Sequence, residues 1–394
     1  MGGTLDNIYN NVSFAMGLHT DALARLQEQA SSGARINRVS DDPSTSFRIL
    51  GLNSEERYLG NYLDNLSEVV SRLEHSSSII DNVITNVVET KTRLTQIING
   101  IYNEDGRRIL AQGINDALEQ VVLLANTQRL DQYLFGGSNT DSPPYVAELT
   151  DGKITGVTYQ GSFDGRNVEL APGIRVDAFC VGDNVFSSDR RGDPVFQGDT
   201  GAAVGTGTSS VSGYTWLTVT GSAGNYDLSI DGGLTTFNTD GTDTNLAVTN
   251  SVTGEVLYVD TTNINNTGDT LVAVPGTHDV FNTLITIRDL LENENGFPET
   301  ELLELLRNSF GSLDEINNLL VQNQVSIGTK IGFLGNLEDS LKNLKYDAED
   351  ETTRLQEADI AQVAIDISRR EVLYEMSLSV AARLMSMSLL DFLK

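Results

Sequence analysis

Few residues of this chain are of the types that carry out acid–base, nucleophilic or redox chemistry. Its 394 residues include three histidines, His19, His75 and His278, and one cysteine, Cys180. No HExxH, phosphate-binding loop, GxSxG or GxGxxG in a βαβ setting occurs. His19 has no histidine or cysteine four residues away, and Cys180 has no partner for a disulfide bond within the chain. The sequence therefore predicts a protein that is not an enzyme, with no metal and no cofactor.

Two short segments have sequences that ligands can use. Oxygen-bearing side chains of the kind that bind Ca²⁺ occur at Asn238, Asp240, Asp243 and Asn245. An EF-hand loop needs a different spacing and a terminal glutamate, so a polar turn is the favoured interpretation. Arg191-Gly192-Asp193 spells an adhesion tripeptide, and its Gly/Asp-rich surroundings favour a chance occurrence. Neither segment by itself predicts a binding site.

The charge of the chain excludes two classes of partner. The sequence has 55 acidic and 26 basic residues, which gives a formal net charge of −29. Nucleic acids and anionic membrane surfaces attract the opposite sign, so binding to either is not expected. The acidity is interpreted as a source of solubility and of repulsion between copies.

Neither end of the sequence predicts a membrane span or a cleaved secretory signal. Residues 1–6 lack a basic run followed by an apolar core. Residues 372–393 are strongly apolar, but Glu375, Arg383 and Asp391 divide them, whereas a span needs about 20 nearly uncharged residues. A helix that is apolar on almost all sides is expected to be buried within a protein assembly.

Apolar residues in the N-terminal third follow the spacing of a coiled coil. A 4,3 ladder holds from residue 59 to residue 101, and eleven of its thirteen positions are apolar. A seam sustained over six heptads predicts a long helix in a coiled-coil-like contact. The ladder consists of Leu59, Leu63, Leu66, Val70, Leu73, Ser77, Ile80, Ile84, Val87, Lys91, Leu94, Ile98 and Ile101.

A weaker ladder precedes this seam. It predicts a first helix over about Leu5–Ser31, with His19 and Gln29 as tolerated polar residues within its face. Asp42 is a good N-cap and Pro43 a good first helical residue, so a second helix is expected to begin there.

Helical periodicity returns near residue 280. Ladders over residues 302–327 and 334–348 share one register, with Gly328, Gly332 and Gly335 between them. These glycines predict either a close helix contact or a local bend, and they put the continuity of the helix in doubt.

The middle of the chain has the composition of a β domain. Of 36 glycines, 22 fall in residues 136–280, and short alternating runs occur at 214–219, 226–230 and 256–259. Asp231-Gly232-Gly233 is expected to join two of these runs as a hairpin turn.

The predicted fold class is α+β and multidomain. A long-helix, coiled-coil-like bundle formed by both chain ends carries an inserted antiparallel β-rich domain. The expected divisions are an N-terminal assembly helix at 1–40, a helical domain at 41–136 and 281–355, the β-rich outer domain at 137–280, and a C-terminal assembly helix at 356–394.

Four motifs resemble one protein family. Gly33-Ala34-Arg35-Ile36-Asn37, followed by Ser40-Asp41-Asp42-Pro43, is similar to the N-terminal signature of bacterial flagellins and their hook-associated junction relatives. Three further segments resemble the junction branch of this family. They are the Tyr133–Gly137 segment that continues to Tyr145, residues 355–361 and residues 377–393. Ser-Asp-Asp-Pro is typical of the junction branch, whereas filament flagellins usually carry Lys-Asp-Asp-Ala.

The resemblance implies a structural subunit of the bacterial flagellum, in a layer between a hook-side junction protein and the filament. The implied partners are further copies of the chain, the hook-side protein, flagellin and a flagellar export chaperone. The implied location is extracellular, after type III export of an unfolded chain. Members of this family fold their terminal helices during assembly, which agrees with apolar seams that need partners.

Two alternatives stay open: a filament flagellin, and an exported adhesin whose β domain binds glycans or Ca²⁺. For the main interpretation, residues of both terminal helices are expected to form the assembly interface, and Ser40, Asp41, Asp42 and Pro43 form the family turn. The interface residues are Leu5, Ile8, Val12, Ala15, Leu26, Val372, Met376, Val380, Leu384, Met387, Leu389 and Leu390.

Overall fold

The computed structural model describes residues 2–100, 103–171 and 173–392, and within these ranges the side chains of 2–6, 8–9 and 384–392 lie outside the description. The chain divides into two compact units. Met1–Asp64 with Leu337–Lys394 form the terminal unit, and Asn65–Asn336 form the middle unit.

Long helices dominate both ends of the chain, and short strands fill its middle. The helices are α1 (Gly2–Ser32), α2 (Pro43–Asn99), α3 (Glu104–Ala125), α4 (Gly182–Phe186), α5 (Val280–Glu292), α6 (Glu299–Gln356) and α7 (Ile360–Phe392). The strands are β1 (Gln128–Arg129), β2 (Gln132–Tyr133), β3 (Tyr145–Thr150), β4 (Lys153–Tyr159), β5 (Asn167–Ala171), β6 (Ile174–Asp177), β7 (Val195–Gln197), β8 (Ala203–Val204), β9 (Gly213–Ser222), β10 (Asn225–Ser229), β11 (Phe237–Thr239), β12 (Leu246–Thr249), β13 (Val256–Asp260) and β14 (Gly268–Val274).

The middle unit buries the heptad seam of α2, and half of that seam is displaced by one residue from the predicted ladder. One set of positions, seven residues apart, is buried as predicted: Leu66, Leu73, Ile80, Val87 and Leu94. The other buried set is Val69, Ser76, Val83, Thr90 and Ile97, whereas the predicted neighbours one residue later are half-buried. The sequence pattern does not reveal this second set as buried, because Ser76 and Thr90 are polar residues. The hydroxyls of Ser76 and Thr90 are satisfied inside it, because each donates to the carbonyl oxygen four residues earlier.

Helix α6 runs without interruption through its glycines. An added Cβ at Gly328, Gly332 or Gly335 would meet no atom within 4 Å, so among the described residues no close helix contact requires them. The helix is continuous over Glu299–Gln356, and it tolerates the low propensity of glycine because packing decides. On its buried side, Leu313, Leu320, Ile327 and Leu334 recur every seven residues.

In the middle unit, α2 and α6 run antiparallel. Gln324 donates to the Asp81 carboxylate at 3.1 Å, and Lys91 pairs with Asp314. Between them in sequence, β9, β10, β11, β14 and β7 form a five-stranded antiparallel sheet in the order β11-β10-β9-β14-β7, and β12-β13-β8 form a three-stranded one. The inner faces of both sheets share one apolar core, which includes Val211, Leu217, Leu228, Leu257 and Val272.

The hairpin predicted at Asp231-Gly232-Gly233 is a longer connection. The tight turn is Ala223-Gly224, because Ser222 and Asn225 are paired across β9 and β10. Asp231 instead organises the loop from β10 to β11: its carboxylate accepts hydrogen bonds from Ser229, Thr235 and Ser251.

The predicted fold class is confirmed: long terminal helices pack together, and an antiparallel β-rich region lies between them in sequence. Within the described helices, no stretch is long and apolar enough to cross a membrane.

Candidate assembly interface

The terminal unit leaves more large apolar side chains exposed than it buries. Among its described residues the buried hydrophobic ones are Ile49, Leu59, Leu341, Ala348, Ala358 and Val363. Folded domains normally bury their apolar residues around a core of their own, so this unit has little core to stabilise it alone. Its exposed large apolar residues are Phe14, Leu18, Val39, Phe47, Leu50, Tyr58, Leu344, Tyr346, Ile360, Ile365, Val372, Leu373, Met376, Leu378 and Val380.

Helices α1 and α7 pack side by side within this unit. On α1 the half-buried positions step by three and four residues, and they include the predicted interface residues Val12, Ala15 and Leu26. These three side chains therefore share the half-buried face of α1. His19 occupies the same face, where its Nδ1 lies 3.3 Å from the Arg370 guanidinium of α7.

Helix α7 has a second apolar face, opposite the one that packs on α1. The packed face contains Val363, which is buried, and the half-buried positions 367, 370, 374, 377 and 381. The predicted interface residues Val372, Met376 and Val380 point away from it and are 56%, 61% and 49% exposed. A helix that is apolar on two faces needs a second partner.

Six predicted interface residues lie outside the described side chains: Leu5, Ile8, Leu384, Met387, Leu389 and Leu390. Sequence reasoning missed Phe14 and Leu18, which are 69% and 54% exposed and lie four residues apart on the outer face of α1. Their spacing carried the signal, because residues at i and i+4 share a helix face.

The family turn caps α2. The Asp42 carboxylate accepts from the Thr45 backbone N–H at 3.1 Å and from its hydroxyl at 2.6 Å. The Thr45 hydroxyl and then the Thr45 N–H hold the pKa of Asp42 below its usual value, and Arg35 adds to the effect at 3.7 Å. The Asp41 carboxylate accepts from the N–H of Arg38, whereas Ser40 is exposed. Pro43 begins the helix, as predicted.

Two of the sequence motifs meet through backbone hydrogen bonds. Ala34 and Glu357 form an antiparallel β-bridge. On either side of it, Arg35 N–H donates to the Gln356 carbonyl at 2.6 Å, and Ala358 N–H donates to the Gly33 carbonyl at 2.9 Å. Gly33 ends α1 at a φ of +70°, which glycine adopts without strain. The end of α1 is thus tied to the start of α7, and this fixes the two helices next to each other.

The side chains of the candidate ligand segments in the middle unit form hydrogen bonds within the chain. Arg191 donates to the carbonyl oxygens of Ser209, Ser210 and Val211, so the adhesion tripeptide does not present its guanidinium freely. Asp240 accepts from Thr242, and Asp243 accepts from Thr239. Among the residues the structure describes, no group of three or more His, Cys, Asp or Glu side chains is placed to hold a metal ion.

Comparisons with known proteins agree with these motifs. Residues 6–140 match the family model of the bacterial flagellin N-terminal helical region. The flagellar hook-associated protein 3 of Escherichia coli is 27% identical over 130 residues, which are 33% of this chain and 40% of that protein. Flagellin B of Helicobacter pylori is 25% identical over 173 residues, which are 43% of this chain and 33% of that protein.

The fold has a solved counterpart. The crystal structure of flagellar hook-associated protein 3 from Legionella pneumophila is 16% identical, with a TM-score of 0.53, and the similarity covers 78% of this chain and 98% of that one. By contrast, the sequence match spans only about two fifths of the length of the E. coli relative. The resemblance that the motifs indicate, to flagellar hook-associated protein 3 and the flagellins, is confirmed.

Proposed function

We propose, from this resemblance, that the chain is a structural subunit of the bacterial flagellum and forms the junction layer between a hook-side protein and the filament. The observation that carries the proposal is the terminal unit, which exposes fifteen large apolar side chains and buries six hydrophobic ones among its described residues. Burying each such side chain is worth about 1.5–3 kcal/mol, so the exposed set favours association with neighbours.

The position of this surface supports the proposal. It lies on the segments that carry the motifs, and residues 6–64 of it fall within the match to the flagellin N-terminal region. In our proposal the second face of α7 and the outer face of α1 contact other subunits. The unit then gains the core that its own residues do not supply.

The partners we propose are further copies of this chain, a hook-side junction protein, flagellin, and an export chaperone that holds the terminal segments before assembly. Export follows the flagellar type III route, and the site of action is extracellular. The role is structural and requires no catalysis. The divisions predicted from the sequence remain part of the proposal, with the β-rich residues 137–280 as the outer domain.

A filament flagellin is the alternative, favoured by the similarity to Flagellin B. The Ser-Asp-Asp-Pro turn and the Pro143-Pro144-Tyr145 entry favour the junction. An adhesin that binds Ca²⁺ through Asn238–Asn245 has less support, because Asp240 and Asp243 are hydrogen-bonded within their own loop.

Copy number and position separate these roles. We expect immunogold labelling to mark a single point at the hook–filament boundary. On a protein gel of sheared flagella, the chain should be a minor band. A strain without the gene should assemble hooks and release flagellin monomers into the medium. Labelling along the whole filament, with the chain as its main component, would establish the flagellin role instead. Normal filaments in the deletion strain would contradict both.

A further inference from the structure

A groove of about 510 Å³ lies between α1 and α7 of the terminal unit, and arginines dominate its charge. Arg25 of α1 and Arg369 and Arg370 of α7 line it, together with a single acidic residue, Asp366. This is unusual in a chain with 55 acidic and 26 basic residues. A local positive groove in an acidic protein requires its own explanation.

Within the ranges that the structure describes, the three arginines of this groove make no ion pair. Six other lysines and arginines of the terminal unit pair with a carboxylate: Arg35, Arg38, Arg48, Lys342, Lys345 and Arg354. Arg25, Arg369 and Arg370 do not, although Asp366 lies in the same groove. The Arg370 guanidinium lies 3.3 Å from the Nδ1 ring nitrogen of His19.

The groove borders the exposed apolar faces of both helices. Arg25 lies seven residues after Leu18, so it shares the outer face of α1 with that residue and Phe14. Arg369 lies between Ile365 and Val372 on the second face of α7 in the same way. Apolar contacts on either side would remove water from a carboxylate bound here, and desolvation strengthens such a pair.

We propose that this groove binds carboxylate side chains of a second copy of the chain during assembly. Copies that each carry a net charge of −29 repel one another, so positive groups without an ion pair among the described residues favour contact between the copies. Guanidinium groups recognise carboxylates through paired N–H···O bonds, which also fix the register between helices. This inference rests on the proposed function and names the electrostatic part of the subunit contact.

The first test is charge reversal with a matched control. R369E is compared with R57E, since Arg57 is also an exposed helical arginine of the terminal unit that has no ion pair among the described residues. Both are expressed in a strain that lacks the wild-type gene. We expect R369E to be exported normally but to enter hook–filament junctions at least about tenfold less than R57E, the ratio for 1.4 kcal/mol. R369Q, which adds no negative charge, should show a smaller loss in the same direction.

Circular dichroism of the secreted monomers checks that these variants keep the helicity of the wild type. Equal incorporation of R369E and R57E, with the wild type present at junctions, would overturn the groove proposal and leave the proposed function intact. Absence of the wild-type chain from junctions would instead overturn the proposed function.

The second test identifies the occupant. The R369K/R370K variant supplies amines, which carbodiimide joins to a carboxylate in direct contact. Assemblies are formed from equal parts of ¹⁵N-labelled and unlabelled variant, treated with carbodiimide and digested for mass spectrometry. We expect crosslinks from positions 369 and 370 to acidic peptides of the other isotope. Crosslinks confined to one copy, or formed only with flagellin or the hook-side protein, would contradict a second copy as the occupant.

Discussion

The terminal and middle units use apolar residues in opposite ways. In the described parts of the middle unit, 56 hydrophobic residues are buried and 14 large ones are exposed, whereas the terminal unit buries six and exposes fifteen. Both units contain long helices with heptad-like patterns. A periodic apolar face therefore forms an internal core only when the rest of the same chain provides an opposing surface.

The middle unit has that opposing surface. Sheets, α3 and α5 lie in the same unit as the buried face of α2, and the aromatic residues Phe135, Tyr145, Phe186 and Phe281 contact one another within it. Among the described residues, the terminal unit contains the paired helices α1 and α7 and the segments of α2 and α6 at residues 43–64 and 337–356. The difference supports our proposal that the terminal unit completes its core by assembly.

Removal of the chain from Val372 onward is the change with the largest expected effect. Incorporation into junctions should be abolished, because the second face of α7 is deleted, while the middle unit keeps its core and the monomer stays soluble. The measurement is immunoblotting of isolated hook–basal bodies beside the secreted fraction. Truncated subunits found in junctions would show that this face is not part of the assembly contact.

The second-largest expected effect is a difference in amide hydrogen exchange between the two units of the dilute monomer. We expect fast amide exchange across residues 10–32 and 360–383 and slow exchange across residues 65–99, because protection follows the number of buried contacts around a helix. Incorporation into junctions should slow the first two segments and leave the third unchanged. Equal protection of all three segments in the monomer would contradict the claim that the terminal unit has less internal core than the middle unit.

Two alanine substitutions test whether the apolar residues of each unit stabilise the monomer or the assembly. Leu73→Ala empties a site that is 1% exposed in the middle unit and should lower the free energy of unfolding by about 2–5 kcal/mol. Met376→Ala removes a side chain that is 61% exposed and should change monomer stability by less than about 0.5 kcal/mol while reducing incorporation. Urea denaturation and junction immunoblots measure the two effects. A large loss of monomer stability with Met376→Ala would mean that the terminal unit has an internal core after all.

The smallest effect concerns a half-buried acid in the middle unit. The Asp279 side chain caps α5 by accepting from the Asn282 N–H at 2.7 Å, and burial raises its pKa to about 6, with a further contribution from the Asp183 carboxylate. The unfolded pKa is about 3.9, so the folded state disfavours the ionised form, and stability is lost as pH rises from about 4 through 6. Asparagine keeps the cap without the charge.

Asp279→Asn should therefore stabilise the middle unit by about 1–3 kcal/mol at pH 7 and have no such advantage at pH 4. His278 has a lowered pKa because it is buried, and it is present in both proteins, so its own pH dependence cancels in the difference. Denaturation of wild type and variant at the two pH values measures the effect. Junction incorporation should be unchanged, since the site lies in the middle unit and not on the proposed assembly faces of α1 and α7.

The sequence predicted the elements whose signals are local. Asp42 and Pro43 placed the start of α2, and the ladder from residue 59 placed its long buried face. For half of the ladder positions, the predicted buried residue was wrong by one position. Ser76 and Thr90 look polar in the sequence, but they can be buried because their hydroxyls donate to backbone carbonyls. The glycine run of α6 was misleading for the opposite reason: helix packing overrides a low propensity.

The assembly interface stays a prediction. Val372, Met376 and Val380 are exposed, whereas Val12, Ala15 and Leu26 are half-buried on one face of α1. Periodicity identifies an apolar stripe on a helix, and it does not say whether that stripe meets the same chain or another one. That choice depends on which helices come together.

The sequence alone determined the helical ends, the β-rich middle, the capping turn and the family resemblance, because each rests on residues close together in the chain. Only the tertiary structure joined Gly33–Arg35 to residues 356–358, more than 300 residues away, and brought Arg25 next to Arg369 and Arg370. Contacts over such separations leave no periodic trace in one sequence. They follow from the packing of α1 on α7, which, among the described residues, leaves one apolar face of α7 exposed and three arginines without an ion pair.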